Sequence, residues 1–178
     1  MPTAGLVLAA GEGRRFGGPK APVVVDGERL VDRAVRILRE GGCSPVVVVL
    51  GAWVGEIPDA DIVVNPDWAE GMGSSLRCGL AAVATADRVL VTLVDLPGLT
   101  AEAVRRILAT DTALAAATYD GQRGHPVLIG AAHIAGVIES ARGDAGARAY
   151  LRDHADELAL IEVGDVASGE DLDEPPSD

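Results

Sequence analysis

The 178-residue chain reads as a single α/β domain of three layers, α/β/α, with a mostly parallel central sheet. Three observations carry that reading. Residues 5–9, 46–50 and 89–94 are short runs that are aliphatic on both faces, as suits strands covered by helices on either side. Between them lie stretches whose apolar residues recur at helical spacing. The first run ends in a loop holding four glycines between Gly11 and Gly18, at the strand edge where sheets of this kind bind ligands.

Taken in order, residues 5–9 form the first buried strand. Residues 30–40 place Leu30, Ala34, Val35 and Leu38 on one helical face and stop at Gly41-Gly42, a good C-terminal signal. Residues 46–50 are the next main strand, and a further short strand ends at Asn65. A serine-led segment rich in Ala and Leu, 75–84, is the second helix, followed by the strand 89–94. Thr100 is suited to cap a helix running to about residue 108. Residues 113–118 and 126–129 read as strands joined through a glycine-containing turn. Asp144 is expected to cap a helix running to about residue 154, and 158–163 is the last strand. His133 and His154 fall in helical patterns and read as surface or partly packed residues. There is no internal repeat. Residues 1–163 make the domain and 164–178 an acidic tail.

Composition narrows the function. The formal net charge is −12, and half of it comes from six acids in the tail: Asp165, Glu170, Asp171, Asp173, Glu174 and Asp178. An acidic chain with no basic face excludes nucleic acid as the expected partner. No apolar run reaches the length of a membrane span, so no membrane partner is expected. Cys43 and Cys78 lack metal-ligand spacing and read as reduced thiols in a cytoplasmic protein. A bias toward arginine leaves Lys20 as the only lysine, Phe16 as the only phenylalanine and Asn65 as the only asparagine. Two of these rare residues fall in the opening loop. The third, with Met72, falls in a second loop near residue 70.

A glycine-rich turn after a first strand presents backbone N–H groups, which suit phosphate. Two familiar phosphate loops fit poorly. A P-loop needs a hydroxyl after its lysine, and here Lys20 is followed by Ala21. A dinucleotide fingerprint needs glycine where Phe16 stands and an acid at the end of the second strand, where the chain reads Leu50-Gly51-Ala52. A flexible surface turn with solvated charges is the remaining structural alternative.

The stretch Leu8-Ala9-Ala10-Gly11-x-Gly13-x-Arg15-Phe16-Gly17, followed by Lys20, resembles the signature of MobA-like nucleotidyltransferases. The branch it is most similar to is that of molybdenum cofactor cytidylyltransferases. The resemblance continues through NPDWAEGMGSSLRCGL (65–80), VDLPGLT (94–100), GHPVLI (124–129) and GDAGARAYL (143–151), and so covers nearly the whole chain in order. It implies the three-layer α/β/α, Rossmann-like nucleotidyltransferase fold. It also implies a loop that wraps a nucleoside triphosphate, with Leu8, Ala9, Ala10, Gly11 and Gly13 against the nucleotide and Arg15 and Lys20 on the phosphates.

Asp95 follows a buried apolar strand directly and so stands at the ligand-binding edge. It reads either as a turn cap before Pro97 or as a hard oxygen donor to Mg2+; the resemblance places a metal-binding aspartate there. The same resemblance implies a second ligand from a C-terminal DxDTPED motif, of which Asp171-Leu172-Asp173 matches the first part only, making Asp173 the second candidate. Gly71, Ser74 and Ser75 open a helix and are expected on the acceptor side, the alternative for the serines being plain N-capping. Asn65 is expected at the nucleotide and His125 in the acceptor pocket.

The expected activity is Mg2+-dependent transfer of CMP from CTP to a phosphorylated small molecule such as molybdopterin, with Arg15, Lys20 and Asp95 as the catalytic set. The product would pass to a molybdoenzyme or its chaperone. The alternatives are a guanylyltransferase acting on a pterin or phospholactate-type acceptor, a nicotinamide-dependent oxidoreductase on a related fold, and a catalytically dead module that delivers cofactor.

Overall fold

The computed structural model describes residues 2–176; Ser177 and Asp178, the end of the acidic tail, lie outside the described residues. The chain runs β1 (Thr3–Ala9), β2 (Val24–Val25), β3 (Glu28–Arg29), α1 (Leu30–Glu40), β4 (Cys43–Leu50) and β5 (Asp61–Val64). A 3-10 turn at Trp68–Glu70 leads to α2 (Met72–Ala82). Then come β6 (Arg88–Leu93), α3 (Ala101–Leu108), β7 (Leu114–Tyr119), β8 (Gln122–Gly130), α4 (Ala131–Ser140), α5 (Arg148–Asp153) and β9 (Ala159–Glu162). Seven strands form one sheet in the order β5-β4-β1-β6-β8-β7-β9, and β2 and β3 make a separate small hairpin. Only β8 runs antiparallel to its neighbours β6 and β7; the other pairings in the large sheet are parallel.

Every residue of β1 is buried, which is why the strand carries no alternation of polar and apolar residues. One face of the sheet packs against α1 and α3 through Val7, Leu30, Leu38, Leu50, Leu90 and Ile107. The other packs against α2, α4 and α5 through Leu6, Val49, Leu76, Leu80, Ile129 and Val137. These are the three layers expected. A Cβ at Gly79 of α2 would stand 2.6 Å from Leu6 Cδ1, so that glycine sets how closely α2 lies on the sheet.

Several local expectations change. The helix expected from Asp144 begins only at Arg148, and no side chain caps it. The intervening residues form turns with Gly143 and Gly146 at positive φ. The serines at the start of α2 do not cap it either: its N-cap is Gly71, and Ser74 Oγ donates back to the Gly71 carbonyl at 2.9 Å. Thr100 does cap α3, accepting from Ala103 N at 3.2 Å. The residues around His133 form a full helix, α4, which packs on α2 and α5.

The acidic tail returns to the domain instead of leaving it. Val166, Ala167 and Leu172 pack against the α1/α3 core. Ser168 N donates to Gly98 O at 3.1 Å and Leu172 N to Asp95 O at 2.9 Å. Residues 165–172 therefore form a strap across the loop that follows β6. Cys43 is buried, which pushes its thiol up to about 12, and Cys78 is partly buried; both are free. Among the described residues no helix is long and apolar enough to cross a membrane.

Candidate active site

In the large sheet β1 is flanked by β4 on one side and β6 on the other. The chain progresses outward from β1 in one direction and then in the other, so a crevice opens at the carboxyl ends of β1 and β6. A cavity of about 460 Å3 lies there. Its floor is Leu8, Ala9 and Ala10, and its walls include Gly11, Gly13, Lys20, Trp68, Ser75 and Asp95.

The opening loop owes its shape to Gly13, which has φ +64° and whose carbonyl accepts the amides of Gly17 (2.8 Å) and Gly18 (3.0 Å). A Cβ on Gly13 would collide with the Gly18 carbonyl. The amides of Gly17 and Gly18 are thus turned inward to close the loop. Phe16 is buried beneath it, and the Lys20 ammonium lies 5.7 Å from the Phe16 ring centroid, within cation–π reach. Lys20 Nζ meets Asp95 Oδ2 at 2.9 Å, with both side chains about four-fifths buried. Two residues 75 positions apart in the chain are joined because the loop after β1 and the loop after β6 emerge side by side.

The structure distributes the other expected residues unevenly. Arg15 is exposed and lines neither this cavity nor the next, whereas Arg14 lines this one and pairs with Glu12. Asn65, expected at the nucleotide, is buried away from both cavities. Its Nδ2 donates to Ser74 Oγ (2.9 Å) and Ser75 Oγ (3.0 Å), and its Oδ1 accepts from Asp67 N (2.9 Å). It builds the second loop from below. Ser74 is wholly engaged in that network; Ser75 reaches the cavity. Gly71 lines it too, at φ +113°, and a side chain there would run into Asp144 Oδ1 and the Gly143 carbonyl. Trp68, Met72 and Asp144 complete the wall, none of them expected at the site. Only the tertiary structure brings Trp68 here: a Cβ at Gly51 would sit 2.6 Å from Trp68 Cβ and 2.9 Å from Ala10 Cβ, so that glycine lets the two loops meet.

A second cavity of about 440 Å3 adjoins the first and shares Leu8, Met72, Leu93 and Asp144 with it. His125 stands here, beside Arg123, Arg148 and Asp171. Tyr119 Oη donates to the His125 carbonyl at 2.6 Å and so holds the first half of strand β8 in place. His125 is partly buried in the wall of this cavity. Desolvation by its walls, reinforced by Arg123 and Arg148 and opposed by Asp95, pushes it down to about 4. The imidazole is therefore neutral at pH 7.

The carboxylates fit a hard divalent cation in part. The Asp171 carboxyl is raised, first by desolvation and then by Asp95 and Asp173, a crowding of negative charge that a cation would relieve. Asp173 is exposed and lines neither cavity; Asp171 lines the second. Among the described residues no three potential ligands gather into one cluster. A Mg2+-like ion needs few protein ligands when phosphate oxygens and water complete its shell, so this donor set suits it.

A parallel-rich sheet with a glycine loop, a lysine–aspartate pair and two adjoining cavities at its carboxyl edge places the ligand site where α/β sheets of this kind bind nucleotides. The chain belongs to the MobA-like NTP transferase family, whose model matches residues 5–158. That family implies a nucleoside triphosphate, a small-molecule acceptor and, typically, a divalent metal. The chain is 40% identical over 185 residues to a nicotine blue oxidoreductase of Paenarthrobacter nicotinovorans, covering 95% of this chain and 91% of that one. It is 32% identical over 173 residues to a probable molybdenum cofactor guanylyltransferase of Mycobacterium tuberculosis, covering 90% and 84%. Among solved structures it superimposes on the Mycobacterium sp. strain JC1 homologue of Rv0371c, with a TM-score of 0.81, 28% identity and coverage of 97% and 90%.

Proposed function

We propose that the protein transfers CMP from CTP to the phosphate of a small-molecule acceptor of the molybdopterin type, releasing pyrophosphate. The observation that carries this is the Lys20–Asp95 pair, set in a nucleotide-sized cavity beside the wall it shares with a second one. In this reading the first cavity takes the triphosphate and the second the acceptor. A phosphomonoester has a second pKa of about 6 and is mostly dianionic at neutral pH. It can attack the α-phosphorus without a general base, which agrees with a site whose one histidine is held neutral.

What the protein supplies is alignment and charge. Lys20 meets the triphosphate, and Asp95 holds that ammonium toward the cavity. Asp95 would also hold a divalent cation, Mg2+ in this reading, with Asp171 or Asp173 of the strap nearby. When bound, that ion would neutralise phosphate charge and help pyrophosphate leave. Arg15 would contribute only by swinging in from the exposed face of its loop. The setting we propose is cytoplasmic, with the product handed to a molybdoenzyme or its chaperone.

The preference for cytosine rests on Ala10. Ala10 lines the same cavity as Trp68, and in this reading its methyl takes space that a purine would need. One methyl in a tight pocket is worth about 1–3 kcal/mol of discrimination, so CTP should exceed GTP by about tenfold or more in kcat/KM. The relatives named guanylyltransferases make GTP the natural competitor. The relative named an oxidoreductase favours a second reading, a nicotinamide-dependent oxidoreductase; the lack of an acid at Leu50-Gly51-Ala52 speaks against it.

The deciding experiment incubates the protein with each NTP, Mg2+ and phosphorylated acceptors, assays pyrophosphate, and follows NADPH oxidation in parallel. CTP-dependent pyrophosphate release supports the proposal, and preference for GTP assigns the guanylyl alternative. NADPH turnover without pyrophosphate release overturns both in favour of the oxidoreductase.

A further inference from the structure

An acidic protein has few cations to spare, and this one pairs nearly all of them. Of fourteen arginines, most meet a carboxylate or a backbone carbonyl: Arg36 binds Glu28 and Glu40, Arg106 binds Asp165, and Arg88 binds the carbonyls of Leu108 and Thr110. In the first cavity Lys20 is held by Asp95 and Arg14 by Glu12. Among the described residues only Arg15, Arg123 and Arg148 have neither an ion pair nor a side-chain hydrogen bond. Two of these three line the second cavity, Arg123 from β8 and Arg148 from the start of α5. They flank His125, and their charge is felt there. Asp144 and Asp171 share the cavity, yet neither comes within ion-pair distance of either guanidinium. Two uncommitted guanidiniums from elements far apart in the chain converge on one concave space, beside an imidazole that adds no charge of its own.

We infer that Arg123 and Arg148 form a two-armed clamp for a phosphomonoester dianion in the second cavity. Guanidinium is the group suited to this, because its planar donors meet phosphate oxygens in pairs. The inference rests on the proposed reading in taking that dianion to be the acceptor's phosphate, brought toward the α-phosphorus of a nucleotide in the first cavity.

The test titrates phenyl phosphate, without nucleotide, into the wild-type protein and the R123Q, R148Q, R123Q/R148Q and R152Q variants by calorimetry, with Mg2+–CTP titrated separately. Arg152 lies on α5, is exposed and pairs with Asp153, outside both cavities. The wild type and R152Q should bind phenyl phosphate alike. R123Q and R148Q should each weaken it about tenfold or more, the scale of losing a charge-assisted pair of hydrogen bonds. Both arginines are exposed and unpartnered, so near-UV circular dichroism should show intact folds. Equal phenyl phosphate affinity in the wild type and the R123Q/R148Q double variant overturns the clamp. If the clamp variants lose phenyl phosphate while CTP binds none of the proteins, the clamp stands and the nucleotidyl reading falls.

Discussion

Lys20 has no substitute, being the only lysine in the chain. Its ammonium is held 2.9 Å from Asp95, with a phenylalanine ring beneath. Lys20→Ala should lower CTP affinity about tenfold or more, as expected for one lost charge at a phosphate site, and cost about 1–3 kcal/mol of stability, because the largely buried Asp95 carboxylate loses its partner. Unchanged calorimetric affinity for CTP would remove Lys20 from the site. His125 provides a pH signature. Its folded-state value of about 4 lies below the ordinary 6.5, so between those values the unfolded chain takes up a proton that the folded chain refuses. The stability this contributes is complete above 6.5 and is lost as pH falls toward 4. His125→Gln should flatten that part of the pH–stability profile, measured as urea midpoints across the window; an unchanged slope would mean another group governs it.

At the scale of elements, the second loop is the piece whose construction differs most from expectation. Asn65 ends the polypeptide leaving β5 and ties both serines of the first turn of α2 to the turn at Asp67. The sequence marks the residue as rare and places it near the ligand edge, but only the fold turns its amide inward. Asn65→Ala should leave the buried Ser75 hydroxyl and the Asp67 amide without partners and cost about 1–3 kcal/mol in urea denaturation. CTP affinity should fall with it, because Gly71 and Ser75 move with the same turn. A variant as stable as the wild type would show that water replaces the network. The missing cap at Asp144 has a related cause. Capping signals are local, whereas the turn from Gly143 to Ala147 is drawn onto the N-terminus of α2, where Gly143 O accepts Gly73 N at 2.7 Å. Asp144 becomes a wall of two cavities instead of a cap.

For the molecule as a whole, the strap connects the end of the chain to the centre of the site. Residues 165–172 lay Val166, Ala167 and Leu172 on the core and bond to the backbone at Asp95 and Gly98, while Thr100 Oγ1 donates to Val166 O at 3.0 Å. Removing residues 165–178 should lower the melting temperature by about 4–8 °C, equivalent to about 2 kcal/mol for a domain of this size. Mg2+-dependent CTP binding should weaken as well, because the loop carrying Asp95 loses its support. A truncated protein with unchanged melting temperature and CTP affinity would reduce the strap to a passive tail.

From the chain alone come the three layers, the parallel core strands and the glycine loop with Lys20, because buried strands, helical periodicity and turn chemistry are local signals that packing reinforces. The pairing of Lys20 with Asp95, the inward turn of Asn65, the exposed placement of Arg15, the return of the tail and the convergence of Arg123 with Arg148 come only from the tertiary structure. Each depends on how distant segments meet at the sheet edge. Side-chain partners there are set by strand order and loop packing, which no window of sequence contains.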